Sequence, residues 1–310
     1  MYQKSLLAVS AAALGLAVSA VGAQAAGLLK VPVADWTGAA VSCEIIDQLV
    51  ENELGHKVKR ITMPSGPGVS EGLRSGDLDY ACETWPSYST TKEKYVTEYG
   101  GDGSVKYFAP TGVVGQSGYF VPRYLVEGPD AKAPDLKTYE ELNQYKDLFK
   151  TLESGDKGRL IGCPVAAWEC KDAERIEGLE LDYEITELGS ETAHFAEMKA
   201  AYARKEPFIA YAWTPHWIFA ELDLVEVGLP PYSDEAWPMT DWPEDVTYNY
   251  GRPDLGDEYP EVVALLEKFR ISNDEQAGLI LAVDIDGKDV EDVAAKWIAD
   301  NEATWGPWVK

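Results

Sequence analysis

The 310-residue sequence predicts an α/β protein, and three observations carry that reading. Short apolar runs alternate with amphipathic stretches from the beginning of the chain. Their order, strand then helix then strand, implies parallel strands joined by crossover helices. The composition, 45% hydrophobic and 11% aromatic, is that of a packed globular protein rather than a disordered one.

Taken in order, residues 28–33 read as a short apolar strand and 39–54 as an amphipathic helix ending at Gly55. Residues 58–63 form a second strand and 69–74 a short helix, after which Asp77 to Cys82 runs back into the core. Ligands of such sheets sit beyond the carboxyl ends of strands, and Trp36 and Trp85 fall at two strand-to-loop junctions. Further strands are expected over 113–121 and 208–213. A helical stretch opens over 136–142, and closing helices are expected over 261–270, 273–283 and 290–305. The chain carries no internal repeat or low-complexity linker. Two strand-like crossings, near 118–124 and 213–228, divide it. The expected division is an export segment at 1–25, one lobe from 26–120 plus 222–310, and a second lobe over 121–221.

The export segment rests on Lys4, the small and apolar run 6–20, and Ala23-Gln24-Ala25, a small-x-small cleavage pattern. The run is shorter than the roughly 20 residues that span a bilayer. No cysteine follows the small residues directly, so no lipid anchor is expected. The mature chain should begin near Ala26, free in the periplasm. About 285 residues remain (310 less 25), enough for two ordinary domains or one large one.

Acidic side chains number 53 against 27 basic ones, a formal charge of −26. Such a surface repels nucleic acid and anionic lipid and favours a soluble monomer. Four cysteines in an oxidising compartment point to disulfides. They allow three pairings, and sequence alone does not choose. Cys163 with Cys170 is favoured because a tight loop would fix Trp168 between its ends, which leaves Cys43 with Cys82. Flanked by Glu169 and Lys171, Cys170 makes a poor nucleophile candidate.

Tryptophan is the most telling residue type. Indole faces are the best cation–π partners among side chains, and a box of them holds an alkylated ammonium that cannot donate a hydrogen bond. Trp36, Trp85, Trp168 and Trp213 stand in four loop or strand-end contexts suited to such a box. Trp237, Trp242, Trp297, Trp305 and Trp308 read as packing residues, with Trp217 between the two roles. His56, His194 and His216 are too scattered for a metal triad. Residues 284–289 have a calcium-loop flavour but lack the spacing and closing Glu, so a solvated turn is expected. No Gly-x-Ser-x-Gly, P-loop or His-Glu-x-x-His occurs. A receptor for a small methylated cation is expected, with no cofactor. A secreted enzyme acting on methylated amines is the rival class, and it would need a nucleophile or cofactor that the sequence does not offer.

Three local patterns carry a family resemblance. They are Gly76-Asp77-Leu78-Asp79 followed by Trp85-Pro86, Leu160-Ile161-Gly162-Cys163 through Trp168-Glu169-Cys170, and Lys205-Glu206-Pro207 followed by Tyr211-Ala212-Trp213-Thr214-Pro215-His216-Trp217. With them the chain resembles the glycine betaine/proline-betaine class of periplasmic substrate-binding proteins, the receptors of ABC importers for compatible solutes. The resemblance implies a two-lobed, hinged fold of the periplasmic-binding-protein kind (type II-like), with the ligand in the cleft between lobes. It also implies a box of Trp85, Trp168 and Trp213, and membrane permease and ATPase subunits as partners. Trp36 joins the box from its own position after the first strand.

The chain departs from the family at the ligand's polar end. Trp85-Pro86-Ser87-Tyr88-Ser89 lacks the histidine that helps hold a betaine carboxylate, and Glu169 stands where a small residue would bring amides close. Glu83, Glu169, Cys170 and Tyr88 are therefore the residues expected around the polar end. Two carboxylates would repel a betaine carboxylate by about 4 kcal/mol at 4 Å in an intermediate dielectric. Trimethylamine N-oxide, whose single oxygen a protonated Glu could satisfy, ranks ahead of glycine betaine. Choline, which would donate its hydroxyl to an ionised Glu, and dimethylsulfoniopropionate follow.

Overall fold

The structure is a computed structural model that describes residues 27–310, so the expected export segment lies outside the described residues. Strand β1 (Leu28–Val33) pairs in parallel with β2 (Lys57–Thr62), and helix α1 (Thr37–Asn52) makes the crossover between them. Ala39, Val41, Ile45, Ile46, Leu49 and Val50 bury one side of α1. Helix α2 (Pro67–Ser75) starts with Pro67 in its first turn and stops at Gly76, whose left-handed φ of 78° ends the helix.

The expected third strand makes its ladder with a partner from far along the chain. Strand β3 (Tyr80–Thr84) runs antiparallel to β9 (Asp245–Gly251). At its entry the Asp79 N–H donates to the Lys30 carbonyl at 2.9 Å, while the Asp79 carboxylate accepts the Lys30 N–H at 2.7 Å. A side chain thus takes the place of the next ladder bond beside β1.

The larger sheet has the order β3-β9-β4-β7-β5-β6, with β8 (Leu224–Glu226) beside β4. Its spine is β4 (Lys106–Pro122), 17 residues long. The first part of β4 pairs with β9, and the last part pairs with β7 (Ile209–Thr214), from Gln116 opposite Thr214 to Phe120 opposite Ala210. Strands β5 (Gly158–Ile161) and β6 (Tyr183–Thr186) extend the sheet in parallel, with helices α3 (Asp172–Gly178) and α4 (Glu191–Ala203) as their crossovers.

Two of the three cores among the described residues frame the site. One joins Leu29, Ile45 and Leu49 from the start of the chain to Leu265, Phe269, Trp297, Trp305 and Trp308 from its end. The other gathers Tyr119, Leu160, Phe195, Ile209 and Trp213, and it also takes in Val227 and Trp242. Trp297, Trp305 and Trp308 are buried packing residues, as read from the sequence. Because Tyr119 and Trp242 both pack in the second core, we propose that the crossings lie at about 114–116 and 242–246. The sequence had suggested 118–124 and 213–228, with the second lobe ending at 221.

The closing helices are α5 (Pro260–Lys268), α6 (Asn273–Asp284) and α7 (Val290–Asp300), the last breaking at Asn301 before a short turn that ends at Trp305. Residues 136–142 form only brief turns, opened by a capping box at Thr138 and Glu141. Strands β5, β6, β8 and β9 and helices α3 and α4 were not anticipated. In α4 the buried Glu191 and His194 sit among Phe195 and Met198, so no clean apolar stripe marks the helix. Among the described residues, no helix is long and apolar enough to cross a membrane.

Candidate ligand-binding site

Four strand ends converge on one cavity. Trp36 follows β1 as the N-cap residue of α1, and Trp85 follows β3 ahead of a short turn at Pro86–Tyr88. Trp168 closes a turn inside the loop after β5, and Trp213 lies at the end of β7. All four indoles line the same cavity of about 100 Å³, joined by Tyr88 and Tyr211. That volume is well below the roughly 300–1,000 Å³ of sites for drug-sized molecules, so it suits a compact ligand.

The rings stand nearly at right angles, as the walls of a box must. Trp36 meets Trp168 edge-on at 5.9 Å and 74°, and Trp168 meets Trp213 at 5.7 Å and 81°. Tyr211 lies beside Trp213 at 5.5 Å. Backbone shape lets the rings in. A Cβ on Gly115 would lie 2.0 Å from the Trp85 ring, so only glycine on β4 admits that indole. Gly66, at φ +113°, lets the loop before α2 press against the Ala167 carbonyl beside Trp168.

Glu83 is 1% exposed and lies behind the box rather than in it. Its φ of 53° is uncommon for a residue with a side chain. Oε1 accepts the indole N–H of Trp85 at 3.3 Å and of Trp36 at 3.5 Å. Oε2 accepts Ser42 Oγ at 3.1 Å and the Gln276 amide. Four donors fill the four acceptor positions of a carboxylate. Burial pushes the Glu83 carboxyl up to about 7, and these donors pull it back down. All four partners donate, so the ionised form is the one they satisfy, and above about pH 7 it sets a negative charge behind two π-faces.

The other predicted residues separate. Tyr88 lines the cavity, and its hydroxyl meets Ser117 Oγ at 2.6 Å and the Tyr211 hydroxyl at 2.7 Å. Cys170 is buried and bonded to Cys163, while Cys43 is bonded to Cys82. Neither Cys170 nor Glu169 lines the cavity. Glu169 accepts from Thr90 Oγ1 at the cleft mouth, so only its partner Thr90 faces inward. Trp217 stands outside the cavity and donates to Asp284 Oδ2 at 2.7 Å. The polar lining is hydroxyls, from Ser65, Ser70, Ser89, Thr90 and the tyrosines, and none of the lining residues is Lys, Arg or His.

Sequence reading missed several supports. Asp35 accepts the Trp168 indole N–H at 3.0 Å from across the cleft. Asp172 takes the Cys163 N–H at 2.7 Å and the Tyr119 hydroxyl, which anchors the disulfide loop. Asp245 binds both the N–H and the hydroxyl of Ser87, beneath Tyr88, and burial raises it to about 6. Asp35, adjacent to Trp36, and Asp172, two residues after Cys170, stood near residues that the sequence had singled out.

Residues 27–300 match the family described as the substrate-binding domain of an ABC-type glycine betaine transport system (OpuAC). The chain belongs to that family. As a member, it is a substrate-binding component of an ABC-type importer and not an enzyme. It is 25% identical over 296 residues to the trimethylamine N-oxide-binding protein of Pelagibacter ubique, covering 91% of this chain and 90% of that one. Its fold is similar to that of lactococcal OpuAC in a closed form complexed with glycine betaine, with a TM-score of 0.68 at 19% identity over 92% of this chain and all of that one. It is similar also to a choline-binding protein in complex with choline, with a TM-score of 0.73 at 18% identity over 91% of each chain. These likenesses establish the two-lobed periplasmic-binding fold.

Proposed function

We propose that the chain is a periplasmic receptor that delivers a small trimethylammonium compound to the permease and ATPase subunits of an ABC importer. Its first ligand is trimethylamine N-oxide, followed by glycine betaine. The observation that carries this reading is the cavity itself: four indole faces, two of them backed by a buried carboxylate, with hydroxyls and no cationic side chain for the polar end. A trimethylated nitrogen offers no N–H, so π-faces, negative charge and shape are what can recognise it. A betaine carboxylate would enter without a cationic partner, next to the charge on Glu83. A single oxide oxygen needs only one or two donors, which the Tyr88 and Tyr211 hydroxyls supply. They take over the role that the sequence had suggested for a protonated Glu. The name of the Pelagibacter relative points the same way. The mature chain is a monomer cleaved near Ala25, with lobes that close on the ligand like a hinge.

Three or four desolvated indole faces at up to about 2 kcal/mol each give a gross attraction from which ordering and closure subtract. A net value near 8 kcal/mol corresponds to a micromolar Kd. Calorimetric titration with trimethylamine N-oxide, glycine betaine, choline and dimethylsulfoniopropionate tests the reading. Micromolar binding with trimethylamine N-oxide tightest is the expected result. Tightest binding of glycine betaine would reverse the ranking, and binding of none of them would end the trimethylammonium assignment.

A further inference from the structure

Helix α1 carries Trp36 at its N-cap, yet no side chain of its own caps it and its first turn holds no acidic residue. Its leading N–H groups are the kind that need an outside acceptor. The acceptor comes from the other lobe. Glu191 Oε2 takes the Thr37 N–H at 2.7 Å. Glu191 is the first residue of α4, but it is not needed to cap that helix, because Ser190 Oγ already accepts the Ala193 N–H. A second carboxylate makes the reciprocal contact. Asp284, which ends α6, accepts Thr37 Oγ1 at 2.7 Å and the Trp217 indole N–H at 2.7 Å.

The third member of this group is His216. Glu191, His216 and Asp284 place their ligand-type atoms within 4.8 Å of one another, the donor set of a metal site. The imidazole argues against that use. His216 Nδ1 accepts the Ile218 N–H at 3.2 Å, so in the neutral ring Nε2 carries the hydrogen and has no lone pair to give. Burial keeps this ring neutral, its pKa held down to about 3. Nε2 faces Glu191 Oε1 at 3.3 Å and Asp284 Oδ2 at 3.9 Å, and the ring stacks on Phe195 at 3.9 Å. Phe195 in turn packs against Trp213 at 5.1 Å. The group therefore sits directly behind two walls of the box, one from each lobe.

We propose that Glu191 is a closure latch, a positioning residue that caps α1 across the cleft and so ties the helix that follows Trp36 to the other lobe in the closed state. The inference rests on the box being the ligand site. Opening the cleft uncaps α1 and exposes the Glu191 carboxylate to water, and closure with ligand restores both contacts. Glu191 acts on how long the ligand stays, not on how fast it arrives.

Stopped-flow indole fluorescence with trimethylamine N-oxide as the probe, on the full-length mature protein, separates the two rates. Glu191→Ala is expected to raise the dissociation rate about tenfold, the scale of one lost N-cap, with the association rate within about twofold of wild type. Glu191→Gln, which keeps shape and one acceptor oxygen, should raise it about threefold and serves if the alanine variant folds poorly. Small-angle scattering of the saturated Glu191→Ala protein should show a larger radius of gyration than saturated wild type. Trp168→Ala serves as the control for the box. Weakened binding in Trp168→Ala together with a wild-type dissociation rate in both Glu191 variants overturns the latch and leaves the box standing. Unchanged binding in Trp168→Ala overturns the box reading, and the latch with it.

Discussion

The two halves of the box are held in different ways. On the proposed division, Trp36 and Trp85 belong to the lobe built from the chain ends, and both donate their N–H to Glu83, a carboxylate of that same lobe. Trp168 belongs to the other lobe, and its N–H reaches Asp35 across the cleft. One pair of walls is fixed before any ligand arrives. The facing wall is oriented only when the lobes meet, although the Cys163–Cys170 link limits how far its loop can wander. Trp213 stands between these cases, buried on a central strand. Preorganisation cuts the ordering cost of binding, so the first half supplies affinity and the second makes affinity depend on closure.

Breaking the shared clamp should have the largest effect. Glu83→Ala removes a buried acceptor from four donors at once and frees both indoles. A binding loss of about 3 kcal/mol, more than a hundredfold, is expected by calorimetry, with a lowered Tm as well. A loss no greater than that of Asp35→Ala would erase the distinction between the two halves.

Removing single walls comes next. Trp85→Ala, Trp168→Ala or Trp213→Ala should each cost about 1–2 kcal/mol, a ten- to thirtyfold weakening, with Phe less harmful than Ala because it keeps a weaker face. Trp305→Ala, in the terminal core, should lower stability and leave the affinity of the folded protein intact. Normal binding by the wall variants and lost binding by Trp305→Ala would put the cleft near the carboxyl-terminal helices instead.

Much of this was legible in the sequence because indole is rare and its contexts were local. Trp36 and Trp85 each stand just after a strand at the start of the next turn or helix, Trp168 closes a turn, and Tyr211-Ala212-Trp213 reads directly as a strand with one aromatic face. What the sequence did not offer were partners brought together by distance. Glu191 lies 154 residues from Thr37, and Gln276 lies 193 from Glu83. Glu83 itself was flagged as a contact for the ligand's polar end, yet it faces away from the cavity to bind indole N–H groups. Glu169 was flagged by its place beside Trp168, but the left-handed turn at φ 56° carries it to the cleft mouth. The parallel pairing at the start of the chain was correct for β1 and β2, whereas β3 takes its ladder from β9, a strand that the sequence did not signal. There Asp79 replaces a ladder bond, and no periodicity signals such a substitution.

Protonation offers a smaller lever on the same contrast. Burial raises Glu83 and Glu191 to about 7, well above the usual carboxylate range of about 4.3. A carboxyl whose folded pKa is raised contributes stability that is present below its unfolded pKa and lost as pH climbs through the folded value. Thermal unfolding of the ligand-free protein should therefore give a higher Tm near pH 5 than near pH 8. Glu83→Gln should flatten part of that slope, on the order of 1 kcal/mol. A slope that Glu83→Gln leaves unchanged would assign the effect to other buried acids, such as Asp47, which burial also raises to about 7.

The smallest effect expected is the one that isolates the facing wall. Asp35→Ala removes the acceptor of the Trp168 indole N–H without touching Glu83 or the disulfide loop. Asp35 is only half-buried, so the freed N–H can turn to water, and the cost should be modest, about 0.5–1 kcal/mol. Because the bond crosses the cleft, the loss should fall on the dissociation rate and leave the Tm of the ligand-free protein within about 1–2 °C of wild type. Asp35 also accepts the Ser65 N–H at 3.2 Å within its own lobe, so Asp35→Asn, which keeps one acceptor oxygen, should show a smaller shift in the same direction. A fall in Tm equal to that of Glu83→Ala would mean that Asp35 supports its own lobe rather than the contact across the cleft. The second half of the box would then be as preorganised as the first.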